Sequence, residues 1–280
     1  MTMPEPIVRD GAKAAIYRDA PAWGEARTAA IGDFSCASAE SGRALLVEAK
    51  DKLGGEGFAA VIGPMDGDTW RRYRVVWESD GSPPYLMEPT SGPHDKRAFL
   101  DAGFATITEY VSARAPLAEA VGEPVPPPPG VTVAAWDGKD PLHPIEQMFD
   151  MSLEAFVRNR FYKPISREAF IELYRPAMPL IDPRLVLFAH DETGRLVGFV
   201  FGLPNRLEGP SPRTVIFKTY ASRAHGVGQL LAYEFHRRAL DMGFSEVIHA
   251  LMYERNVSAM RSRQRQATVF RRYALLGARL

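Results

Sequence analysis

The sharpest chemical signal in the sequence is a glycine-containing turn between a strand-like run and a helix-like run. It reads Arg-Ala-His-Gly-Val-Gly from Arg223 to Gly228. The first backbone N–H groups of a helix have no intrahelical partner, and the helix dipole adds partial positive charge there. Gly226 and Gly228 leave the backbone open to a large anion, while the Arg223 guanidinium can add a bidentate contact. The pattern predicts a turn that binds a phosphate or diphosphate group.

Two other phosphate-binding motifs do not fit this turn. The dinucleotide-binding fingerprint needs a third glycine where the chain has Leu231. It also stands in the first strand–helix unit of its domain, whereas only 52 residues follow Gly228. A Walker A loop needs Gly-Lys-Ser/Thr, and the turn has no such triplet.

Strand-like and helix-like runs alternate on both sides of the turn. Apolar residues at helical spacing predict helices at 143–158, 166–175, 227–241 and, more polar, 256–264. Runs of β-branched and aromatic residues predict strands at 131–137, 184–190, 195–202, 214–221, 246–253 and 269–276. This order predicts an α/β (α+β) fold, with a mixed sheet and helices on both of its faces.

A proline-rich segment divides the chain. Residues 123–130 read EPVPPPPG, and four consecutive prolines favour a stiff polyproline II spacer. A strand-like run follows at once, which favours a linker over a surface loop inside one domain. The sequence therefore predicts one domain at 1–122, a linker at 123–130 and a second domain at 131–280.

The chain also resembles itself at an offset of 186 residues. Seven of the 21 positions from 42 to 62 are identical to those from 228 to 248, without a gap. Both segments end in Gly-Phe-x-x-Val-Ile, and the spacing between their glycines fits a helix and a turn before a new strand. One strand–helix–strand unit is predicted to occur twice.

The turn and its neighbours resemble the GNAT superfamily of acetyl-CoA-dependent N-acetyltransferases. The signature of that family is Gln/Arg-x-x-Gly-x-Gly/Ala at a strand-to-helix turn, which residues 223–228 match. Residues 184–202 resemble its second and third strands, and residues 246–256 its fifth. The resemblance covers about 131–280. With the internal repeat it predicts a tandem arrangement of two GNAT-like domains, each a mixed central sheet flanked by helices, the N-terminal one shortened and degenerate.

The resemblance implies acetyl-CoA as the cofactor and direct attack by a primary amine, on a small molecule or a peptide, as the reaction. The strands at 214–221 and 246–253 would separate to admit the pantetheine arm. The implied cofactor contacts lie on the fourth strand, on the turn and at the end of the fifth strand: Lys218, Thr219, Tyr220, Arg223, Ala224, His225, Gly226, Val227, Gly228, Gln229 and Asn256.

The general acid and the general base stay open. Many family members carry a tyrosine seven residues after the asparagine, but that position is Arg263 in this chain. The remaining candidates for the acid are Tyr253, Tyr220 or a water, and for the base Glu254 or a water chain. The missing tyrosine keeps an alternative function open, a non-catalytic acyl-CoA-binding module or sensor.

Acceptor binding is predicted in the segment that joins the first two helices of the C-terminal half, because this region commonly shapes the acceptor pocket in the family. Phe161 and Tyr162 are the candidates there, and burial in the core is an equally compatible reading of both. The acceptor itself is not predicted.

Composition argues against several classes of protein. Lys plus Arg and Asp plus Glu both number 34, and a net charge of zero argues against a general nucleic-acid binder. Cys36 is the single cysteine, so no intramolecular disulfide or cysteine-based zinc site can form, which fits the cytoplasm. No apolar run is long enough to cross a bilayer, and the histidines lack metal-ligand spacing. The prediction is a cytoplasmic protein without a metal site, and its oligomeric state is left open.

The two copies of the repeated unit differ where the phosphate-binding turn should be. At the offset of 186, Arg223 corresponds to Ala37 and Gly226 to Glu40. The cationic contact is lost, and a carboxylate stands where a diphosphate would dock. The sequence predicts that CoA binds only in the C-terminal half, with the N-terminal half as its packing partner.

Overall fold

The computed structural model describes residues 3–140, 142–254, 260, 262 and 266–280. Its strands are β1 (Glu5–Arg9), β2 (Ala12–Tyr17), β3 (Thr28–Cys36), β4 (Ala60–Gly63), β5 (Val75–Ser79), β6 (Ala105–Pro116), β7 (Thr132–Ala135), β8 (Val186–His190), β9 (Leu196–Pro204), β10 (Thr214–Ser222), β11 (Glu246–Tyr253) and β12 (Thr268–Arg279). Its α-helices are α1 (Ala39–Gly55), α2 (Asp95–Asp101), α3 (Leu117–Val121), α4 (Leu142–Phe156), α5 (Arg167–Tyr174) and α6 (Val227–Asp241).

The strands form one mixed sheet that runs through both halves of the chain. Its order is β1-β2-β3-β4-β12-β6-β11-β10-β9-β8-β7, with β5 also paired to β12. The last strand of the chain, β12, thus lies between β4 and β6, and β6 pairs with β11. This differs from the expected sheet in each half. The cause is that β6 and β12 each pair with strands of the opposite half. β6, from the N-terminal half, pairs with β11 and β12, while β12, from the C-terminal half, pairs with β4, β5 and β6.

The predicted elements of the C-terminal half are present, with small differences at their ends. Helix α6 and strand β11 match the predicted ranges 227–241 and 246–253 closely. The predicted helix at 256–264 falls outside the described residues, apart from positions 260 and 262. The segment 123–130 forms neither helix nor strand, and the domain limits drawn around it remain a prediction.

The internal repeat corresponds to two strand–helix–strand units of the same geometry. Strands β3 and β4 pair in parallel with Thr28 opposite Ala60, and β10 and β11 pair in parallel with Thr214 opposite Glu246. Both partners in the second pair lie 186 residues after their counterparts in the first. Helices α1 and α6 connect the strands of each unit.

Each unit packs its helix against the sheet through fully buried apolar side chains. Helix α1 contributes Leu45, Leu46 and Leu53 to the N-terminal core, while α6 contributes Leu231 and Phe235 to the C-terminal one. A Cβ atom at Gly202 on β9 would overlap the Phe235 ring. Glycine at that position therefore lets α6 approach the sheet closely enough to fix its N-terminus beside the end of β10.

Candidate functional site

Strands β10 and β11 separate halfway along their length. Their parallel ladder ends at Phe217 and His249. Beyond it, the pairing of β10 with β9 shifts by one residue at Lys218, and the pairing of β11 with β6 is irregular between His249 and Met252. Leu251, inside that irregularity, has a positive φ of 55°. These two distortions turn the strands apart, as the resemblance predicted for this pair.

The separation opens into a cavity of about 1060 Å³. One wall comes from β10, α6 and β11: Phe217, Lys218, Thr219, Tyr220, Gly228, Gln229, Ala232, His236, His249, Ala250, Leu251, Met252 and Tyr253. The facing wall comes from the N-terminal half: Thr69, Trp70, Arg71, Arg72, Tyr73, Arg74, Met87, Glu88, Pro89 and Tyr110. The end of α4 and the segment after it add Phe156, Arg158, Asn159, Arg160 and Tyr162.

The predicted phosphate-binding turn lies at the mouth of this cavity. Gly226 precedes α6 with φ at 78°, a left-handed conformation that favours glycine, and no side chain caps the helix there. Gly228 and Gln229 reach the cavity lining, whereas His225 is exposed. A helix N-terminus without a side-chain cap, continuous with a deep cavity, fits a diphosphate followed by a long thin arm.

Charged and rigid groups border the turn. The Arg223 guanidinium forms an ion pair with the Glu154 carboxylate of α4, with Nη2 and Oε2 2.7 Å apart. The Pro128 ring lies 3.3 Å from the place that a Cβ atom would take at Gly226. The proline-rich segment thus packs beside the turn, and the predicted cation for the diphosphate already has an exposed carboxylate as its partner.

Lys218 occupies the bulge of β10 where the strands part. Its side chain is half-buried, lines the cavity and donates a hydrogen bond of 3.4 Å from Nζ to the carbonyl oxygen of Met87. Burial lowers the pKa of its ammonium group to about 7, an effect that the positive charge of Arg74 increases and the negative charge of Glu88 opposes. A lysine that is partly neutral near pH 7 can accept a proton.

The candidates for acid and base do not all lie together. Tyr220 packs its ring 5.2 Å from that of Phe217, and both line the cavity. Tyr253 also lines it, and 37% of the residue is exposed. The Glu254 carboxylate is not among the described lining groups and pairs with the Arg272 guanidinium at 2.6 Å.

Of the remaining predicted cofactor contacts, some lie in the cavity lining, some lie in the turn and one lies outside the described residues. Thr219 lies on β10 in the cavity lining and is held by a side-chain hydrogen bond with Tyr174, whose pKa burial raises to about 12. Ala224 is half-buried in the turn, and Val227 is fully buried at the start of α6. Asn256, together with Arg263, lies outside the described residues.

Only one of the two predicted acceptor-binding residues faces the cavity. Tyr162 lines it and meets the Trp70 ring edge-on at 6.0 Å, and burial raises the pKa of its hydroxyl. Phe161 is buried against Met65 and Tyr273 in a core cluster to which both halves contribute. It is therefore a packing residue that anchors this segment, and its neighbour is the one at the cavity.

A buried polar cluster that sequence reasoning missed supports the irregular part of β11. The Ser112 hydroxyl on β6 accepts a hydrogen bond of 3.0 Å from the backbone N–H of Leu251. The Tyr273 hydroxyl donates to the buried Glu88 carboxylate, which also lies 3.3 Å from Nε of Arg271. The cluster draws on β6 and β12, so it depends on the interleaved sheet that local sequence patterns do not reveal.

A second missed group is a chain of buried polar side chains between α6 and β11. Nε2 of His236 lies 3.0 Å from Nε2 of His249, and Nδ1 of His249 lies 2.6 Å from the Ser262 hydroxyl. All three line the cavity. Such a chain can pass a proton between its members, and only the fold brings these distant residues together.

Metal ligation and membrane crossing find no support in the part of the chain that the structure describes. No three His, Cys, Asp or Glu side chains there are grouped so that they could hold a metal ion. None of the helices described combines the length and the apolar character that a bilayer span requires.

Comparison with known proteins finds likeness in structure but not in sequence families. No protein-family model matches the chain, and no curated protein matches it. A GCN5-related N-acetyltransferase from Sphaerobacter thermophilus is 16% identical with a TM-score of 0.57, over 96% of this chain and 76% of that one. A tandem GNAT protein from the clavulanic acid biosynthesis pathway is 16% identical with a TM-score of 0.56, over 96% and 79%.

A third solved structure gives the same result. A GCN5-related N-acetyltransferase from Anabaena variabilis is 9% identical with a TM-score of 0.57, over 97% of this chain and 61% of that one. At such low identity the likeness concerns the fold. The chain has the fold of the GNAT N-acetyltransferases.

Proposed function

We propose that the protein is an acyltransferase that moves an acetyl or another short acyl group from CoA to a primary amine. The observation that carries this proposal is the opening between β10 and β11, which leads from the uncapped start of α6 to Lys218 inside the cavity. The GNAT fold supports the same function. When bound, acetyl-CoA supplies an acyl group that is activated as a thioester.

The residues of the opening fit that cofactor. Backbone N–H groups from Ala224 to Gly228 would hold the diphosphate, with Arg223 as the adjacent cation. The N–H of Gln229 already donates to the carbonyl oxygen of Gly226, so Gln229 would contact the cofactor through its side chain. Thr219 and Tyr220 lie on β10 beyond the end of the ladder with β11, so backbone N–H groups near them are available to stabilise an oxyanion. These assignments agree with the family resemblance.

Lys218 is the group in the cavity best suited to take a proton from the acceptor. A protonated amine must become neutral before its lone pair can attack, and Nζ of Lys218 lies in the lining with its pKa lowered to about 7. It replaces Glu254 in our proposal, because that carboxylate is engaged with Arg272. Tyr220 and Tyr253, both in the lining, remain the candidates for returning a proton to the leaving thiolate.

The release of free CoA thiol tests the function. Purified protein with acetyl-CoA and a broad panel of primary amines should release thiol in proportion to amide formed, as measured by mass spectrometry. Lys218→Met should lower that rate, while Lys139→Met, at a lysine whose side chain is 86% exposed, should not. CoA binding by calorimetry without turnover of any amine would contradict the proposal and support the acyl-CoA-binding module instead.

A further inference from the structure

Arg74 is a buried cation in the wall that the N-terminal half contributes to the cavity. Only 7% of the residue is exposed, and it belongs to the cavity lining. Its guanidinium lies between two aromatic rings, 3.9 Å from the centroid of Tyr73 and 3.8 Å from that of Tyr110. Its backbone has φ at 85°, which is uncommon for a residue other than glycine and clusters at functional sites.

This guanidinium has no anionic partner among the residues that the structure describes. No ion pair joins it to a carboxylate in the described part of the chain, and the buried Nε atom makes no hydrogen bond. One terminal nitrogen donates to the Tyr73 hydroxyl, and the other lies 3.5 Å from the carbonyl oxygen of Leu251. The aromatic faces offset part of the cost of burying this charge, but a buried cation without an anion is otherwise unfavourable.

The charge of the whole cavity has the same sign. Six lining residues carry basic side chains: Arg71, Arg72, Arg74, Arg158, Arg160 and Lys218. Arg71 and Arg72 pair with carboxylates outside the lining, and the lowered pKa of Lys218 leaves its amine partly neutral near pH 7. Arg74, Arg158 and Arg160 therefore supply the positive charge of the described lining. Within the described lining the only carboxylate is that of Glu88. That carboxylate already accepts from the Tyr273 hydroxyl and pairs with the buried Arg271 guanidinium, so its charge is balanced from behind. The wall opposite the CoA opening therefore attracts anions.

We propose that the acceptor is a small amine that also carries an anionic group, a carboxylate or a phosphate, and that Arg74 binds this group. The proposal rests on the acyltransferase function and names the class of its acceptor. A guanidinium pairs with either anion through charge-assisted hydrogen bonds from its terminal N–H groups, and this pairing would supply the anion that the buried cation lacks. The acceptor amine would then lie towards Lys218, which is near enough to Arg74 to be affected by its charge.

This arrangement gives the N-terminal half a part in choosing the acceptor. Arg74, Tyr73 and Tyr110 belong to that half, whereas the turn for CoA and Lys218 belong to the C-terminal half. The N-terminal half would bind the anionic group of the acceptor, while its amine would react beside residues of the C-terminal half.

Matched pairs of amines test the proposal without any variant. Tyrosine against tyramine tests a carboxylate, and phosphoethanolamine against ethanolamine tests a phosphate, with thiol release followed at equal amine concentration. We expect the anionic member of at least one pair to have a kcat/KM at least about 10-fold higher, the size of a charge-assisted hydrogen bond. Equal or faster turnover of the neutral members would overturn the acceptor class while leaving the acyltransferase function intact.

Variants then assign the preference to one residue. Arg74→Met should reduce the preference for the anionic amine to below about 3-fold. Arg74→Lys should keep part of this preference, because an ammonium group retains the positive charge but not the planar pair of N–H donors. Arg97→Met, at a residue whose side chain is 72% exposed on α2, should keep all of it. If no amine is turned over, calorimetry with the same four amines and CoA-loaded protein decides. Binding of an anionic member that Arg74→Met abolishes supports the proposal, and absence of such binding overturns it.

Discussion

The two strand–helix–strand units of this protein share a geometry but differ at the N-termini of their helices. One helix has a side-chain cap there and the other has none. In the N-terminal unit, the Ser38 hydroxyl accepts a hydrogen bond of 3.1 Å from the backbone N–H of Ser41, and the Ser41 hydroxyl donates to the carbonyl oxygen of Gly11. The start of α1 is therefore occupied by its own side chains. In the C-terminal unit, Gly226 precedes α6 without a side-chain cap, and the backbone N–H of Gln229 donates to the carbonyl oxygen of Gly226 at 3.1 Å. The N–H groups of Val227 and Gly228, at the very start of α6, are then left for a ligand.

The strands of the two units differ as well. Past the end of the β3–β4 ladder, the backbone N–H of Met65 donates to the carbonyl oxygen of Ile31 at 2.8 Å, and the Asp66 carboxylate accepts from the N–H of Asp33 at 2.8 Å. A Cβ atom at Gly32 would overlap both Met65 and Asp66. At the offset of 186, the residue equivalent to Gly32 is Lys218, which faces the open cavity.

A strand–helix–strand unit of this kind is therefore not sufficient to form a ligand-binding site. In one copy, a serine cap and a segment of backbone fill the helix start and the strand opening, which stabilises the core. In the other, both are left open, and this is where the acyl donor and Lys218 would meet. The repeat accounts for the two strand–helix–strand units. The residues that fill the opening in one unit and leave it empty in the other determine where a ligand could bind.

The largest effect should come from closing the open unit. Gly228→Val places a branched side chain at the lining of the cavity beside the turn, so CoA affinity should fall by on the order of 100-fold or more, since several charge-assisted hydrogen bonds are lost together. Calorimetric titration measures it, with circular dichroism to establish that the variant is folded. An unchanged affinity in a folded variant would remove the turn from the CoA site.

The second effect concerns Lys218, the residue that replaces Gly32 in the open unit. Lys218→Met should lower kcat by about 100-fold, the usual contribution of a general base. In the wild type, kcat/KM should rise with pH through about 7, because the neutral fraction of Lys218 rises there. A pH–rate profile that keeps this rise in the variant would assign the base elsewhere.

Lys218→Met should lower activity but raise the stability of the folded protein near pH 7. The folded protein releases the Lys218 proton near pH 7, whereas the unfolded chain holds it up to its ordinary value of 10.5. The unfolded state thus binds more protons between these values, and wild-type stability should rise with pH across that window. Lys218→Met should be more stable than the wild type at pH 7 in thermal unfolding, with a difference that shrinks towards pH 10. A constant difference would contradict the lowered pKa.

A smaller effect should appear in the closed unit. Ser38→Ala removes the cap of α1 and should lower the free energy of unfolding by about 1 kcal/mol, without changing CoA affinity. Chemical denaturation and titration on the same sample measure both quantities. A loss of CoA affinity in this variant would mean that the N-terminal turn also takes part in binding.

The smallest effect should come from Glu154, the partner of Arg223. Its carboxylate is 60% exposed, so the ion pair is weak, but it competes with a diphosphate for the same guanidinium. Glu154→Gln should tighten CoA binding by about 2-fold to 5-fold at low salt and by less at high salt. Weaker binding in the variant would show that the carboxylate helps to orient Arg223 instead.

The sequence indicated the C-terminal half of the fold well, because its signals are local. The apolar spacing of 227–241 predicted α6, and the paired Gly-Phe-x-x-Val-Ile ends predicted the repeat. The order of the sheet could not be predicted. The placement of β12 between β4 and β6 depends on hydrogen bonds between segments that are far apart in the chain, and no local pattern specifies them.

The sequence predicted the part of the candidate site that follows from backbone geometry. It did not reveal the residues whose properties come from burial in the folded protein. The turn at 223–228 follows from glycine spacing. No sequence motif marks Arg74, because its isolation from carboxylates is a property of the folded cavity. For the same reason Lys218 was predicted as a cofactor contact and not as a base. Glu254, a predicted candidate for the base, pairs with Arg272, and the sequence alone does not reveal this pairing.

If one of the two units is open and the other closed, each chain should bind a single CoA, and the stoichiometry of CoA binding measures this. Gly42→Ala is not a clean control, because a Cβ atom there would lie 2.7 Å from that of Ala98. The set is therefore wild type, Ser38→Ala and Gly228→Val, titrated with CoA in a calorimeter. We predict one CoA per chain for the first two proteins and no measurable binding for the third. Two equivalent sites per chain, or one site that survives Gly228→Val and is lost in Ser38→Ala, would contradict the account.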